Sequence, residues 1–123
     1  MRIMTAGALA LLMVVGCQRG APQAAADRCA APPDWRAAYA KPGQPQAELT
    51  ACLKFQAYQT RKLAIPLSSA ANGIIAMCEV DVDRFEGALV TDNAMAPDAE
   101  RLAAEQNAMR QASAAVTQYK ACP

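Results

Sequence analysis

The sequence predicts an all-α chain: a small, disulfide-stapled, antiparallel three-helix bundle that follows a proline- and alanine-rich tether. Three observations carry this expectation. Apolar residues recur at helical steps over three successive segments, a proline opens each segment, and four cysteines are spaced so that two bridges could join them. At 123 residues the chain is sized for one domain. Although 54% of its residues are hydrophobic, only 5% are aromatic, and much of the rest is alanine, as in Ala24-Ala25-Ala26 and Ala103-Ala104. The core should therefore be thin and in need of staples.

Pro45, Pro66 and Pro97 each suit a first helical position, where the missing amide hydrogen costs nothing. The first segment, Gln46 to Leu63, places Leu49, Cys52, Leu53 and Ala57 on one face, with Phe55 and Tyr58 widening the apolar arc. Arg61 and Lys62 stand near its end, where the helix dipole favours cations. The second segment, Leu67 to Leu89, carries Leu67, Ala71, Ile74, Cys78, Val82, Phe85 and Leu89 at steps of three and four. Asn72-Gly73 is a turn signal within it, and the run from Cys78 to Asp83 alternates briefly like a strand, so a break is an open alternative to the single helix that the longer period favours. The third, Pro97 to Lys120, opens with Asp98 and Glu100 and sets Leu102, Met109, Val116 and Tyr119 along a seam, while its alanines favour helix and permit close packing. Short connections make the three helices antiparallel neighbours.

Cys52 and Cys78 lie equally far from a turn centred near Ile65, at about 20 Å along a helical hairpin. A bridge between them is geometrically reasonable. Cys29 would then pair with Cys122, closing the tether against the end of the third helix. Four cysteines permit three connectivities, and spacing does not exclude the other two.

Ahead of the bundle, Gly20, Pro22, Pro32-Pro33, Pro42-Gly43 and Pro45 suit a tether rather than a helix. The chain starts with Met1-Arg2 and an apolar run from Met4 to Val15 that is shorter than the roughly 20 residues a membrane span needs, so residues 1–16 read as a signal peptide. The run closes on Val14-Val15-Gly16-Cys17, which resembles the bacterial lipobox. That resemblance implies an exported lipoprotein with palmitate-type acyl chains on Cys17, residues 17–45 as lipidated tether and residues 46–123 as the helical domain. Two or more chains hold a protein stably, at about 0.8 kcal/mol per buried methylene. Gln18 stands where inner-membrane lipoproteins often have Asp, which favours the outer membrane, facing the periplasm. The alternative is an ordinary signal cut after Ala26, giving a soluble periplasmic or secreted protein. The odd count of five cysteines favours lipidation, because removing Cys17 leaves an even four.

Residues 1–16 contain one charged side chain, Arg2, so the remainder carries eleven basic and eleven acidic groups and offers nucleic acid no electrostatic handle. The chain has no histidine, which removes the commonest general base and zinc ligand. No phosphate loop or Cys-x-x-Cys redox motif is present, and no cofactor or metal is expected. Glu79, Asp81, Asp83 and Glu86 form the densest carboxylate cluster. Asp81-Val-Asp83 matches the first ligands of a calcium loop without the third ligand, the glycine or the closing glutamate, so the cluster reads as a solvated helix face paired with Arg84, and with Lys54 or Arg61 across the hairpin. Met77, Met95 and Met109 near Cys78 could supply soft-metal ligands, but fit better as core residues. Trp35 and Tyr39 could anchor a partner or pack the tether onto the bundle; packing is favoured.

Two further resemblances bear on function. Cys52-Leu53, Ala57, the proline-led turn, Ile74-Ile75 and Cys78 look like the paired-cysteine helical hairpin of small exported proteobacterial proteins, which carries no activity to transfer. The stretch Gln46-Ala47-Glu48-Leu49-Thr50-Ala51-Cys52 is similar to a segment of lysozyme-inhibitor-like envelope proteins, which implies an alternative role as regulator of a cell-wall lytic enzyme. The leading expectation is a non-enzymatic envelope lipoprotein, bound to the membrane by its lipid and binding an envelope protein or cell-wall component. A hydrolase using Asp81, Asp83 or Glu86 alone is the third.

Overall fold

The computed structural model describes residues 26–35 and 43–123; residues 1–16, expected from sequence to be a signal peptide, lie outside them, as do Cys17 and Tyr39. Residues 26–28 are helical, in a stretch expected from sequence to be a tether rather than a helix, and four longer helices follow: α1 (Pro45–Thr60), α2 (Leu67–Met77), α3 (Glu79–Asp92) and α4 (Pro97–Lys120). Pro45 and Pro97 occupy first-turn positions as expected, whereas Pro66 sits one residue earlier, as the residue capping α2.

Where the periodicity predicts one second helix, the chain forms two. The break falls at Cys78 (φ −108°, ψ 19°), not at Asn72-Gly73, which stays helical within α2. The Cys78 amide donates to both Ile74 O and Ile75 O, while its carbonyl accepts from Asp81 and Val82, so α3 starts as α2 stops without an intervening loop. Both halves still face the same core: Ala71, Ile74, Cys78 and Phe85 are all buried. That shared face hides the kink from a periodicity argument, and the expected three-helix bundle becomes one in which the middle member is bent.

Pairings across the bundle fix its directions. Cys52 is bonded to Cys78 while Glu48, one turn back along α1, reaches Arg84 further along α3, so α1 and the α2–α3 arm run antiparallel. Thr50 Oγ1 lies 2.7 Å from Gln111 Oε1, and the Tyr58 and Tyr119 rings pack edge to face at 5.5 Å. The same sequence offset relates both pairs, so α1 and α4 run parallel. α4 packs against all three other helices.

The buried face of α4 differs from the expected seam. Val116 and Tyr119 are buried, but Leu102 and Met109 are exposed, and the seam is completed by Ala104, Ala108, Ala112 and Ala115. A helix surrounded by three neighbours has room for methyl groups where a two-sided helix would take leucine. On α1 the expected Leu49, Cys52, Leu53 and Ala57 are all buried. Leu67 on α2 is exposed, and Val82 and Leu89 are only partly covered.

Candidate functional site

The bridges join Cys29 to Cys122 (Cα–Cα 5.5 Å) and Cys52 to Cys78 (Cα–Cα 6.0 Å); the second is the pair that the hairpin register favours and the first is the pair it leaves over. They differ in setting. Cys52 and Cys78 lie at the centre of the core, whereas Cys29 and Cys122 are partly exposed at the end where α1 and α4 finish. Residues 26–35, assigned from sequence to the tether, therefore lie against the bundle: Gln118 Nε2 donates to Arg28 O at 2.6 Å, and Trp35 packs on the core.

That same end is built with more care than its loop composition suggests. The connection from Arg61 to Pro66 holds Leu63 and Ile65 outward while Lys120 Nζ, from the last turn of α4, donates to Leu63 O at 3.0 Å and Ile65 O at 2.8 Å. Arg61 Nη1 donates to Tyr58 O at 2.7 Å, and its guanidinium carbon stands 3.9 Å over the Tyr58 ring. Beneath it, burial and then the neighbouring Tyr58 phenol push the Tyr119 phenol above its ordinary pKa of 10.0. The loop is thus pinned by one ammonium, while the edge-to-face tyrosine pair joins the last turns of α1 and α4.

The carboxylate cluster does not converge. Asp81 is only 2% exposed, not solvated, while Asp83, two residues on, is exposed; a two-residue step places neighbouring side chains on opposite sides of a helix. Glu86 Oε1 pairs with Arg101 Nε of α4 at 3.1 Å, and Arg84 Nη1 pairs with Glu48 Oε2 of α1 at 3.5 Å. The partner of Arg84 across the hairpin is thus a buried acid of α1, while Lys54 is exposed and Arg61 turns to Tyr58. Glu48 is not among the sequence-predicted partners of Arg84, although its i, i+4 relation to Cys52 puts it beside the core. No group of three or more Cys, Asp or Glu side chains that could hold a metal occurs among the described residues. Met77 and Met95 are exposed and Met109 is marginally so, which corrects the expectation of core methionines; Cys78, their supposed thiolate companion, is in a bridge.

Two open grooves flank these features. One of about 760 Å³ is lined by Pro32, Pro33, Gln46, Ala47, Thr50 and Lys54. It takes in the exposed part of the stretch that resembles the lysozyme-inhibitor-like segment, whose Glu48, Leu49 and Cys52 are buried. The other, about 800 Å³, runs along the outer bridge beside Arg28 and Thr117.

Fold and site together define a small helical bundle closed by two disulfides, one in its core and one at its end. No family model matches the chain, and neither curated proteins nor solved structures include one similar to it. Among the described residues no helix is long and apolar enough to cross a membrane.

Proposed function

We propose that the chain is a cell-envelope lipoprotein whose helical domain is a non-enzymatic binding or structural module, held by acyl chains on Cys17 at the periplasmic face of the outer membrane. One observation carries this reading. The two bridges take up four of the five cysteines, and the fifth is Cys17, at the end of an apolar run. Bridges of this kind persist in oxidising, exported compartments, where a spare thiol would be a liability. The lipobox resemblance gives that thiol a use. The absence of histidine from the sequence supports a binding role over acid–base chemistry.

Feeding cells an alkyne analogue of palmitate and separating membrane from soluble protein tests the anchor. The wild-type chain should carry label in the membrane fraction, and the Cys17→Ser chain should lose both label and membrane attachment. An unlabelled wild-type chain, or membrane-bound Cys17→Ser protein after normal export, overturns the reading. In-cell crosslinking with mass spectrometry should then recover an envelope protein or polymer.

A further inference from the structure

Leu63, Ile65 and Leu67 are 53%, 39% and 45% exposed, three large apolar side chains within five residues. Lys120 Nζ donates to both Leu63 O and Ile65 O, which fixes the backbone of this connection against the last turn of α4 while the three side chains stay exposed. Around them stand Arg61, Lys62 and Lys120, with Arg28 across the outer bridge; residues 61–67 carry no carboxylate, and residues 26–35 carry two, Asp27 and Asp34.

We propose that this end of the bundle is a second membrane contact, in which Leu63, Ile65 and Leu67 seat at the boundary between headgroups and acyl chains while Arg61, Lys62 and Lys120 meet anionic headgroups. The inference rests on the lipid anchor at Cys17. Covalent geometry supplies the argument for a bilayer as the occupant. Eleven residues lie between Cys17 and Cys29, so their Cα atoms are at most about 43 Å apart. Cys29 is bonded to Cys122, two residues past the end of α4, and Lys120 of that end holds the apolar loop. The α3–α4 turn lies at the opposite end of α4, which at 24 residues is about 36 Å long. The bridge therefore ties the membrane-proximal part of the chain to the end of the domain that is apolar at its tip and basic at its rim. A linked contact of this kind acts at an effective concentration of about millimolar, so a surface too weak to bind alone becomes occupied. Each basic side chain near an anionic surface strengthens it by about fivefold.

The test uses the processed, lipid-bearing protein in vesicles of phosphatidylethanolamine and phosphatidylglycerol that contain a phospholipid with a diazirine on its acyl chain. After photolysis and digestion, the peptide spanning residues 61–67 should carry the lipid label. Leu63→Ser/Ile65→Ser/Leu67→Ser should lose that label while the protein stays on the vesicle through Cys17. Lys62→Glu should lower it by about fivefold or more, and vesicles of phosphatidylcholine alone should lower it further, because Arg61, Lys62 and Lys120 then all lose their anionic partners. Lys62 is exposed, so this variant decides the matter even where the triple variant fails to fold. Acylated Cys17 with an unlabelled loop overturns the inference alone, as does crosslinking of the loop to another polypeptide or a second copy in place of lipid. A wild-type Cys17 without acyl chains overturns both the anchor and this contact.

Discussion

Replacing both core cysteines, Cys52→Ala with Cys78→Ala, should bring the domain close to its unfolding threshold. The bridge closes a sequence separation of 26 residues, and the chain-entropy relation assigns such a loop about 3.5 kcal/mol. Both sulfurs are buried among Leu49, Leu53 and Ile74, and each removes roughly a methylene's worth of packing, near 0.8 kcal/mol. The combined loss of about 5 kcal/mol compares with a total of about 5–15 kcal/mol for a typical domain. The alanine-rich seam of α4 argues for the lower part of that range. Guanidinium unfolding followed by helical circular dichroism measures the effect, with the double variant avoiding the stray thiol a single one would leave. A loss below about 1 kcal/mol at unchanged slope would refute the reasoning, because it would mean that packing between α1 and the bent arm holds the hairpin without the bond.

Other perturbations separate the parts of the structure. Mild reductant should open Cys29–Cys122 before Cys52–Cys78, since only the outer bridge is partly exposed; timed alkylation with peptide mapping would show the order, and release of the core pair first would contradict it. Ala108→Leu should destabilise by about 1–3 kcal/mol through overpacking, while Met109→Leu, at an exposed position, should stay within about 0.5 kcal/mol, as read by thermal melts. The raised Tyr119 pKa means the folded state favours the neutral phenol: its contribution is complete below the ordinary value of 10.0 and is lost as pH rises through the higher folded value. Ultraviolet titration should show one tyrosine ionising late, and Tyr119→Phe should remove that late step. If the stretch from Gln46 to Cys52 marks a regulator of lytic enzymes instead, excess mature protein should slow lysozyme turnover; on the binding-module reading turnover is unchanged.

Much of the architecture was legible in the sequence for reasons that can be located. The third predicted segment and α4 share the bounds Pro97 and Lys120, because a proline start, acidic first turn and basic last turn agree there. The bend at Cys78 was visible only as an open alternative, since a kink that keeps both halves on one core leaves the apolar period intact. The apolar and basic end was legible only in part. Arg61 and Lys62 stood out as cations at the end of the first segment, but that segment was carried to Leu63 whereas α1 ends at Thr60, and only the contacts from Lys120, 57 and 55 residues away, show how the connection is held.

The seam of α4 failed for a more general reason, and it explains why the bundle is stapled. A search for large apolar residues at helical steps finds Leu102 and Met109, which face water, and passes over Ala104, Ala108 and Ala112, which are buried on a helix that packs against three others. Space at the centre of a bundle is set by its neighbours, so the most enclosed helix takes the smallest side chains. Each alanine allows close approach yet removes little apolar area from water compared with leucine. The core therefore gains density without a matching gain in hydrophobic free energy. Restricting the unfolded chain offsets that shortfall, and a 93-residue separation closed at Cys29–Cys122 restricts it over nearly the whole domain, by about 4.6 kcal/mol on the same entropic relation. The same bond that ties the N-terminal segment to the basic end is thus also the larger of the two entropic staples.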